Sequence, residues 1–388
     1  MPEKLCIYRG NQKPEEEFTL EHIFPSGIGG SLSPRIFQSE NVCGTCNHTL
    51  GLFVDGAFLK GFFRTNEDAM AAREYLDLRS DNSILPLIYM GVLEFGSLAD
   101  DDDVCEIWIG ACGERIYHFH LRDEPRYDTF AGGDPIQRKK DPGRAYLKLT
   151  SKNEPWVGLA LRSFAKSFAK ARRHAVNFEI QGQGPIRFIE EPDELAQKDL
   201  QIIQSLGDGV HKQRIVLDLR FEQRFLAKLA LGVGFNVLGP LFLGSTYASR
   251  LREALWERDP VARGKIPLRG SGFPYNVPKN VDEEILAWSG AYTILLKIFG
   301  SYFVLTLYTP SQKGMHIVIS DDPTLWPDAM VKSYRDGQTY LCLPQIPKFI
   351  GPIWFPEYLG HRLGASRLEA LAELELRRID TGALPACR

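Results

Sequence analysis

The sequence predicts an α+β protein, with a small N-terminal module over residues 1–70 and a larger mixed α+β domain over 83–388. Three observations carry this. At 388 residues the chain exceeds what one hydrophobic core supports, so two or three domains are expected. Apolar residues recur at strand period in some stretches and at helical period in others. Chemistry-bearing residues crowd the first fifty positions, where "EFTLEHIFPSGIGG" (17–30) is followed by "ENVCGTCNHTLG" (40–51).

Within the module, "LCIY" (5–8) reads as a short apolar strand followed by a charged loop. Residues 18–24 read as a second strand entering the turn "PSGIGG". From Asn47 to Phe63 the apolar positions Leu50, Phe53, Val54, Ala57 and Phe58 give a helix. In the larger domain, "SILPLIYMGVLEF" and "CEIWIGACGERIYHFHL" read as strands, the latter a hairpin around Gly110–Gly113. Asp100–Asp103 reads as a solvated turn between them. Helices are expected over 155–176 and 221–239, in "STYASRLREALWER" with Ser245 as its cap, and in "SRLEALAELELRRI" near the C-terminus. The sequence leaves open whether 83–388 is one domain or two subdomains.

The apolar run "AYTILLKIFGSYFVLTLY" (291–308) approaches the length of a membrane span. Lys297 interrupts it, and Gly300-Ser301 between β-branched and aromatic residues marks a two-residue hairpin turn instead. "MPEKLCIYRG" carries no basic-then-apolar leader, and seven cysteines do not pair off. Both features predict a cytoplasmic protein with free or metal-bound thiols and no membrane partner. The net charge is −3, and residues 1–70, with 6 basic and 9 acidic side chains, account for all of it. Any contact with nucleic acid must therefore come from local basic patches.

The stretch 17–51 sets an acid and an imidazole, Glu21-His22, at the end of a strand. A Pro25–Gly30 turn follows, then Asn41, then Cys43-x-x-Cys46 and Asn47 at a helix start. Phosphodiester hydrolysis needs a base near neutral pH, which an imidazole supplies, and a hard cation held by few protein oxygens. Adjacent strand residues diverge to opposite faces, so the turn at 25–30 is a candidate for re-aiming Glu21 and His22. The ordered set Glu21-His22-Ile23, Pro25, Gly29-Gly30, Asn41, Cys43, Cys46, Asn47 and Gly51 resembles the HNH endonuclease family. That family's core is a ββα-metal, treble-clef-like module.

The resemblance implies His22 as general base, supported by Asn41, and Glu21 and Asn47 as ligands of one Mg²⁺ or Mn²⁺ ion, with His48 as a substitute ligand. It also implies a structural Zn²⁺ at Cys6, Cys43 and Cys46. The family's opening Cys-x-x-Cys is here Cys6-Ile-Tyr-Arg9, so one thiolate is replaced. Either His48 or a donor from elsewhere completes the zinc site, or packing holds the core without zinc. Asp55 shares the helical stripe 47–51–55 at roughly 12 Å from Asn47, too far to ligate the same ion.

The expected activity is metal-dependent hydrolysis of DNA, with RNA the lesser candidate. A setting in bacterial anti-phage defence or restriction is what the resemblance suggests. Lys60 and Arg64 on the module helix are candidate nucleic-acid contacts, as are Arg162, Lys166, Lys170 and Arg173 along one face of the helix at 155–176. The loops at Arg138-Lys139-Lys140 and Arg258–Arg269 are weaker candidates. His118-x-His120 places two imidazoles on one strand face. No acid is evident beside it, so it reads as the polar face of a half-buried strand. The C-terminal domain is expected to target, to sense, or to dock a partner protein or second copy. Two other classes stay open: a non-catalytic nucleic-acid-binding module, and an effector subunit active only with a partner.

Overall fold

Hydrophobic periodicity sets the local elements, and pooling of their apolar faces sets the units. The computed structural model describes residues 2–59, 61–75, 86–93, 103–110, 113–121, 142–149, 157–176, 193–206, 212–214, 222–271 and 281–379. The chain forms two compact units, Met1–Leu59 with Leu219–Arg378, and Lys60–Asp218 with Ile379–Arg388. The first unit is thus built from both ends of the chain, whereas the sequence reading divides the molecule at 70–83. A module of about 60 residues buries too little surface of its own to be independently secure. Its apolar residues Ile23, Phe24, Phe37, Leu50 and Phe58 belong to one core with Phe225, Tyr247, Tyr292 and Ile319.

Strands β1 (Glu3–Leu5) and β2 (Gln12–Pro14) form a short hairpin, and fully buried Cys6, Ile7 and Tyr8 follow β1. Strand β3 (Phe18–His22) pairs antiparallel with β4 (Gln38–Cys43). The sequence reading misses β4 because "QSENVC" is mostly polar, with only Ser39, Val42 and Cys43 buried. The register slips between Thr19 and Glu21, which leaves an extra residue in β4 as a bulge. In the connecting turn Gly29 takes φ 93°, and a Cβ on Gly30 would fall 1.6 Å from the Phe24 carbonyl oxygen. Only glycine fits there.

Helix α1 (Gly44–Leu50) starts after Cys43, three residues earlier than expected, and runs through a π turn at Gly51–Asp55 into Gly56–Leu59. A π turn takes up an extra residue. Asp55 accordingly leaves the stripe of Asn47 and Gly51 and is buried, while Leu52 and Phe53 are exposed.

The second unit holds β5 (Ile88–Leu93), β6 (Asp103–Ile109), β7 (Arg115–Leu121), β8 (Arg144–Lys148), β9 (Arg172–Val176) and β10 (Gln213–Arg214). They form one sheet in the order β10-β5-β6-β7-β8-β9, antiparallel except for β8–β9. Helices α2 (Val157–Ser167) and α3 (Glu194–Leu206) belong to the same unit. The single helix expected over 155–176 is corrected: it stops at Ser167. Phe168 is buried against Trp108, and the Arg172 N–H bonds the Gly143 carbonyl as the chain joins the sheet. Asp103, expected in a solvated turn, is buried instead. It takes Arg144 at 2.6 Å, and Arg144 also binds Asp199.

The chain then completes the first unit with α4 (Glu222–Leu238) and α5 (Thr246–Trp256), the latter capped as expected by Ser245 accepting the Ala248 N–H at 3.0 Å. Strands β11 (Gly270–Ser271), β12 (Tyr292–Phe299), β13 (Tyr302–Tyr308), β14 (Gly314–Ser320), β15 (Gln338–Leu343) and β16 (Lys348–Trp354) follow. Their antiparallel sheet has the order β11-β14-β13-β12-β15-β16. The expected hairpin at 291–308 is β12–β13, turning at Gly300 with φ 59°. Among the described residues no helix is long and apolar enough to cross a membrane.

Helix α4 positions the N-terminal motif. Lys228, Gly232 and Asn236 recur every four residues and so share one face. Lys228 Nζ lies 2.6 Å from Glu21 Oε1 and 2.5 Å from Asp55 Oδ2. A Cβ on Gly232 would fall 2.7 Å from Ile23, so the bare helix backbone is what seats Ile23. Asn236 Nδ2 donates to the carbonyls of Ile36 (3.0 Å) and Gln38 (2.8 Å). Glu21 and Ile23 lie two residues apart on the strand path and therefore face the helix together.

Burial opposes charge on both Lys228 and Asp55. Around Lys228 the carboxylates of Asp55 and Glu21 outweigh burial and raise its pKa. On Asp55 burial outweighs Lys228 and pushes the carboxyl up to about 6 from 3.8. The folded chain therefore holds the Asp55 proton more tightly than the unfolded chain. That stabilisation is fully present below the unfolded value of 3.8 and is lost as pH rises through about 6. Relative to an Asp55→Asn variant, wild-type stability is expected to fall by about 3 kcal/mol between pH values below and above this window. Urea denaturation across the pH series reads the difference, and a flat difference would refute this account. A second expectation concerns the turn: Gly30→Ala destabilises by about 3 kcal/mol, because backbone atoms must move. Gly51→Ala, where a Cβ meets open space, changes stability by less than about 1 kcal/mol in the same assay.

Candidate active site and metal centre

Glu21 sits near the end of β3 and is only 3% exposed. Its contacts fall on one oxygen: Lys228 Nζ at 2.6 Å and the Tyr8 hydroxyl, donating at 3.4 Å, both reach Oε1. Among the described residues no donor reaches Oε2. The carboxylate is therefore fixed by one oxygen and offers the other.

Asn47 is held in a parallel way from α1. Its Nδ2 donates to Thr19 Oγ1 at 3.1 Å and to the Leu20 carbonyl at 3.0 Å. A carbonyl accepts only, so these bonds assign the amide orientation, use both amide protons and leave Oδ1 as the open acceptor. Thr19 lies two residues before Glu21 and shares its strand face. The structure thus brings Asn47 to the face of β3 that Glu21 occupies. His22, half-buried, follows on the other face. The turn at 25–30 leaves this alternation intact, since the irregularity of the strand pair falls in β4.

Asn41 lies in the bulged stretch of β4, and its main chain makes the bonds seen there. Its carbonyl accepts the Ile7 N–H at 3.0 Å and its N–H donates to Ser39 Oγ at 3.2 Å. It ties the Cys6 segment to β4. His48 is exposed on α1, beside Asn47.

The three expected thiols do converge. Cys6, Cys43 and Cys46 are buried, with their sulfurs all within 4.8 Å of one another. A tetrahedron of sulfurs at about 2.3 Å from zinc has an edge of about 3.8 Å, so the triangle suits three corners of such a site. A hydrogen bond from Cys46, joined by backbone donors at Cys43, Arg9 and Tyr8, holds the Cys6 thiol down at about 5 against the effect of burial. Sharing that bond pushes Cys46 up. Such backbone donors favour thiolate, the metal-binding form. Among the described residues no fourth His, Cys, Asp or Glu joins the cluster. Arg9, at the position of the replaced cysteine, is exposed and stacks 4.1 Å over the Trp256 ring, so its charge is carried outside the thiol pocket.

The proposed nucleic-acid contacts are more scattered than expected. Arg162 and Lys166 lie on α2, Lys170 is exposed in the turn after it, and Arg173 is on β9, donating to the Ala165 carbonyl at 3.0 Å. The continuous helical stripe is therefore corrected, for the same reason that α2 ends at Ser167. In the 258–269 segment Arg263 is buried and bonds the Glu257 carbonyl. Lys60, the side chain of Arg64 and the loop at 138–140 lie outside the described residues.

Sequence reasoning missed Lys228, although a lone lysine inside the apolar run "RFLAKLALGVGF" was the available signal. It also missed Asn236, because a half-buried Asn on a helix looks ordinary until the strand carbonyls it serves are known.

Comparison with known proteins agrees with this geometry in its N-terminal part. Neither a curated protein nor a solved structure matches the chain. Residues 6–63 match the family model described as HNH endonuclease. The strand pair, the helix and the thiol triangle fall within this match, so the N-terminal module is of the HNH type.

Proposed function

We propose that the protein is a metal-dependent endonuclease that cuts DNA, with the module of the first unit as its catalytic part. The observation carrying this is the matched orientation of Glu21 and Asn47. Each is pinned by one end, Oε1 to Lys228 and Nδ2 to β3, and each leaves an oxygen on one strand face. Two oxygens from two elements suit Mg²⁺ or Mn²⁺, which bind few protein ligands and keep positions for water and phosphate. Bound there, the cation supplies charge stabilisation at the leaving oxygen. His22, on the other side of the strand end, takes the proton of the attacking water. In-line displacement puts attacking and leaving oxygens on opposite sides of phosphorus, which fits a base and a cation site on opposite strand faces. Asn41 supports this arrangement from the bulge, and His48 stands beside Asn47 as an alternative donor. In the thiol triangle we place Zn²⁺ in a structural role, with water or a donor outside the described residues as fourth ligand. The setting we infer, restriction or anti-phage defence, rests on the family resemblance alone.

The Lys228 pairing favours a second reading. A fixed ammonium already compensates Glu21, as it would in a module that binds nucleic acid without cutting it. Supercoiled plasmid separates the two readings. With Mg²⁺ or Mn²⁺ the wild type is expected to nick or linearise it, EDTA to abolish cutting, and His22→Ala to lose at least ~100-fold. Plasmid retarded on a gel but uncut by wild type would support the binding module, and equal cutting by His22→Ala would overturn the assigned base. The zinc assignment has its own check. Purified protein should hold about one equivalent of zinc at the thiols, and Cys43→Ser should lose it together with several degrees of melting temperature.

A further inference from the structure

Three side chains on neighbouring strands of the second unit meet at one point. Glu106 on β6 lies directly opposite His118 on β7, and His120 stands two residues further along, so all three project from one face of the sheet. The polar-face reading of His118-x-His120 is thereby corrected. His118 and Glu106 are fully buried and His120 is 3% exposed. The acid is remote in sequence but adjacent through the ladder. His120 Nε2 is 3.5 Å from Glu106 Oε1, and His118 Nδ1 is 3.7 Å from Glu106 Oε2. One donor atom from each residue lies within 4.8 Å of the other two.

These separations exceed a hydrogen bond of about 2.7–3.2 Å. They lie close to the edge of about 3.3 Å expected between nitrogen and oxygen donors bound at about 2.0–2.1 Å to a tetrahedral zinc. A second observation concerns the His120 tautomer. Nδ1 is 3.0 Å from the Leu121 carbonyl, which accepts only, so Nδ1 carries a proton and Nε2 faces Glu106. With Nδ1 donating away from the site, Nε2 is the His120 nitrogen turned toward any cation shared with the Glu106 carboxylate. A His with Nδ1–H on a backbone carbonyl and Nε2 turned to the site is also how metal-ligating imidazoles are fixed. The site is walled closely: a Cβ on Gly143 would come 3.0 Å from His120 Cβ and 3.2 Å from His118 Nε2, and the Phe168 ring packs 5.0 Å from that of His118.

We propose that Glu106, His118 and His120 bind a divalent metal of the zinc class, stapling β6 to β7. Two imidazoles and one carboxylate form a borderline donor set that suits zinc over magnesium or calcium. Three protein donors leave one tetrahedral position for a further ligand. Enclosure of the donors makes metal uptake part of folding this unit.

Cobalt substitution of the full-length protein tests the assignment. Chelator-treated wild type, titrated with Co²⁺, should gain one equivalent whose visible absorption lacks thiolate-to-metal charge transfer. That feature separates it from any cobalt held by Cys6, Cys43 and Cys46. Glu106→Gln keeps the shape of the side chain and should weaken zinc binding at this site, in competition with a chromophoric chelator, by more than the about 10–100-fold typical of losing an outer-shell partner. His118→Ala with His120→Ala should remove the equivalent altogether. Should the double variant fail to fold, the Glu106→Gln competition decides alone. Identical cobalt spectra and zinc stoichiometry in wild type and Glu106→Gln would overturn the proposal and leave a buried histidine–carboxylate ion pair.

Discussion

One buried ammonium organises the first unit. Lys228 arrives from the middle of α4 and meets Glu21 from β3 and Asp55 from the π turn after α1. A lysine this far from water is tolerated only when its charge is answered, and each carboxylate would be equally costly alone. The three groups therefore fix one another's positions with a force that apolar packing, being non-directional, does not supply. Gly232 and Asn236 extend the same helical face, one as a seat for Ile23 and the other as a donor to strand carbonyls. The acid of the Glu21-His22 pair is thus aimed by a residue more than two hundred positions downstream.

Under the proposed function, this arrangement separates the two jobs of a carboxylate at a metal centre. Oε1 of Glu21 is given to the scaffold and, among the described residues, Oε2 is left open; Asn47 divides its amide in the same way. Groups held from behind lose little freedom when a cation or a phosphate arrives, and preorganisation of that kind is where much of an active site's advantage lies. The thiol triangle acts one layer further back. It joins the segment after β1, the end of β4 and the start of α1, the pieces that carry Asn41 and Asn47.

Much of the fold was legible in the sequence where a local rule decided it. The hairpin turning at Gly300-Ser301, the Ser245 cap and the helix over 222–238 follow from turn chemistry, capping and periodicity, none of which needs a distant partner. The motif residues Glu21, His22, Cys43, Cys46 and Asn47 were legible for the same reason, being close in sequence. What stayed hidden was set by long-range partners. Strand β4 is polar and exists because β3 and α4 pair with it. Helix α2 stops early because the sheet captures residues 172–176. Glu106 became a neighbour of His118 only through the β6–β7 register, and Asp55 left its predicted stripe because one π turn added a residue.

The split origin of the first unit has a consequence during synthesis. Asp55 and Lys228 are 173 positions apart, so at about 5–20 residues per second the ribosome adds Asp55, and before it Glu21, at least about 9–35 s ahead of their counter-charge. Over that interval β3 and α1 have neither the ammonium nor the apolar wall they finally lean on. The HNH-type segment thus takes its final form only after most of the polypeptide has been made, and chain order itself delays its maturation in the cell.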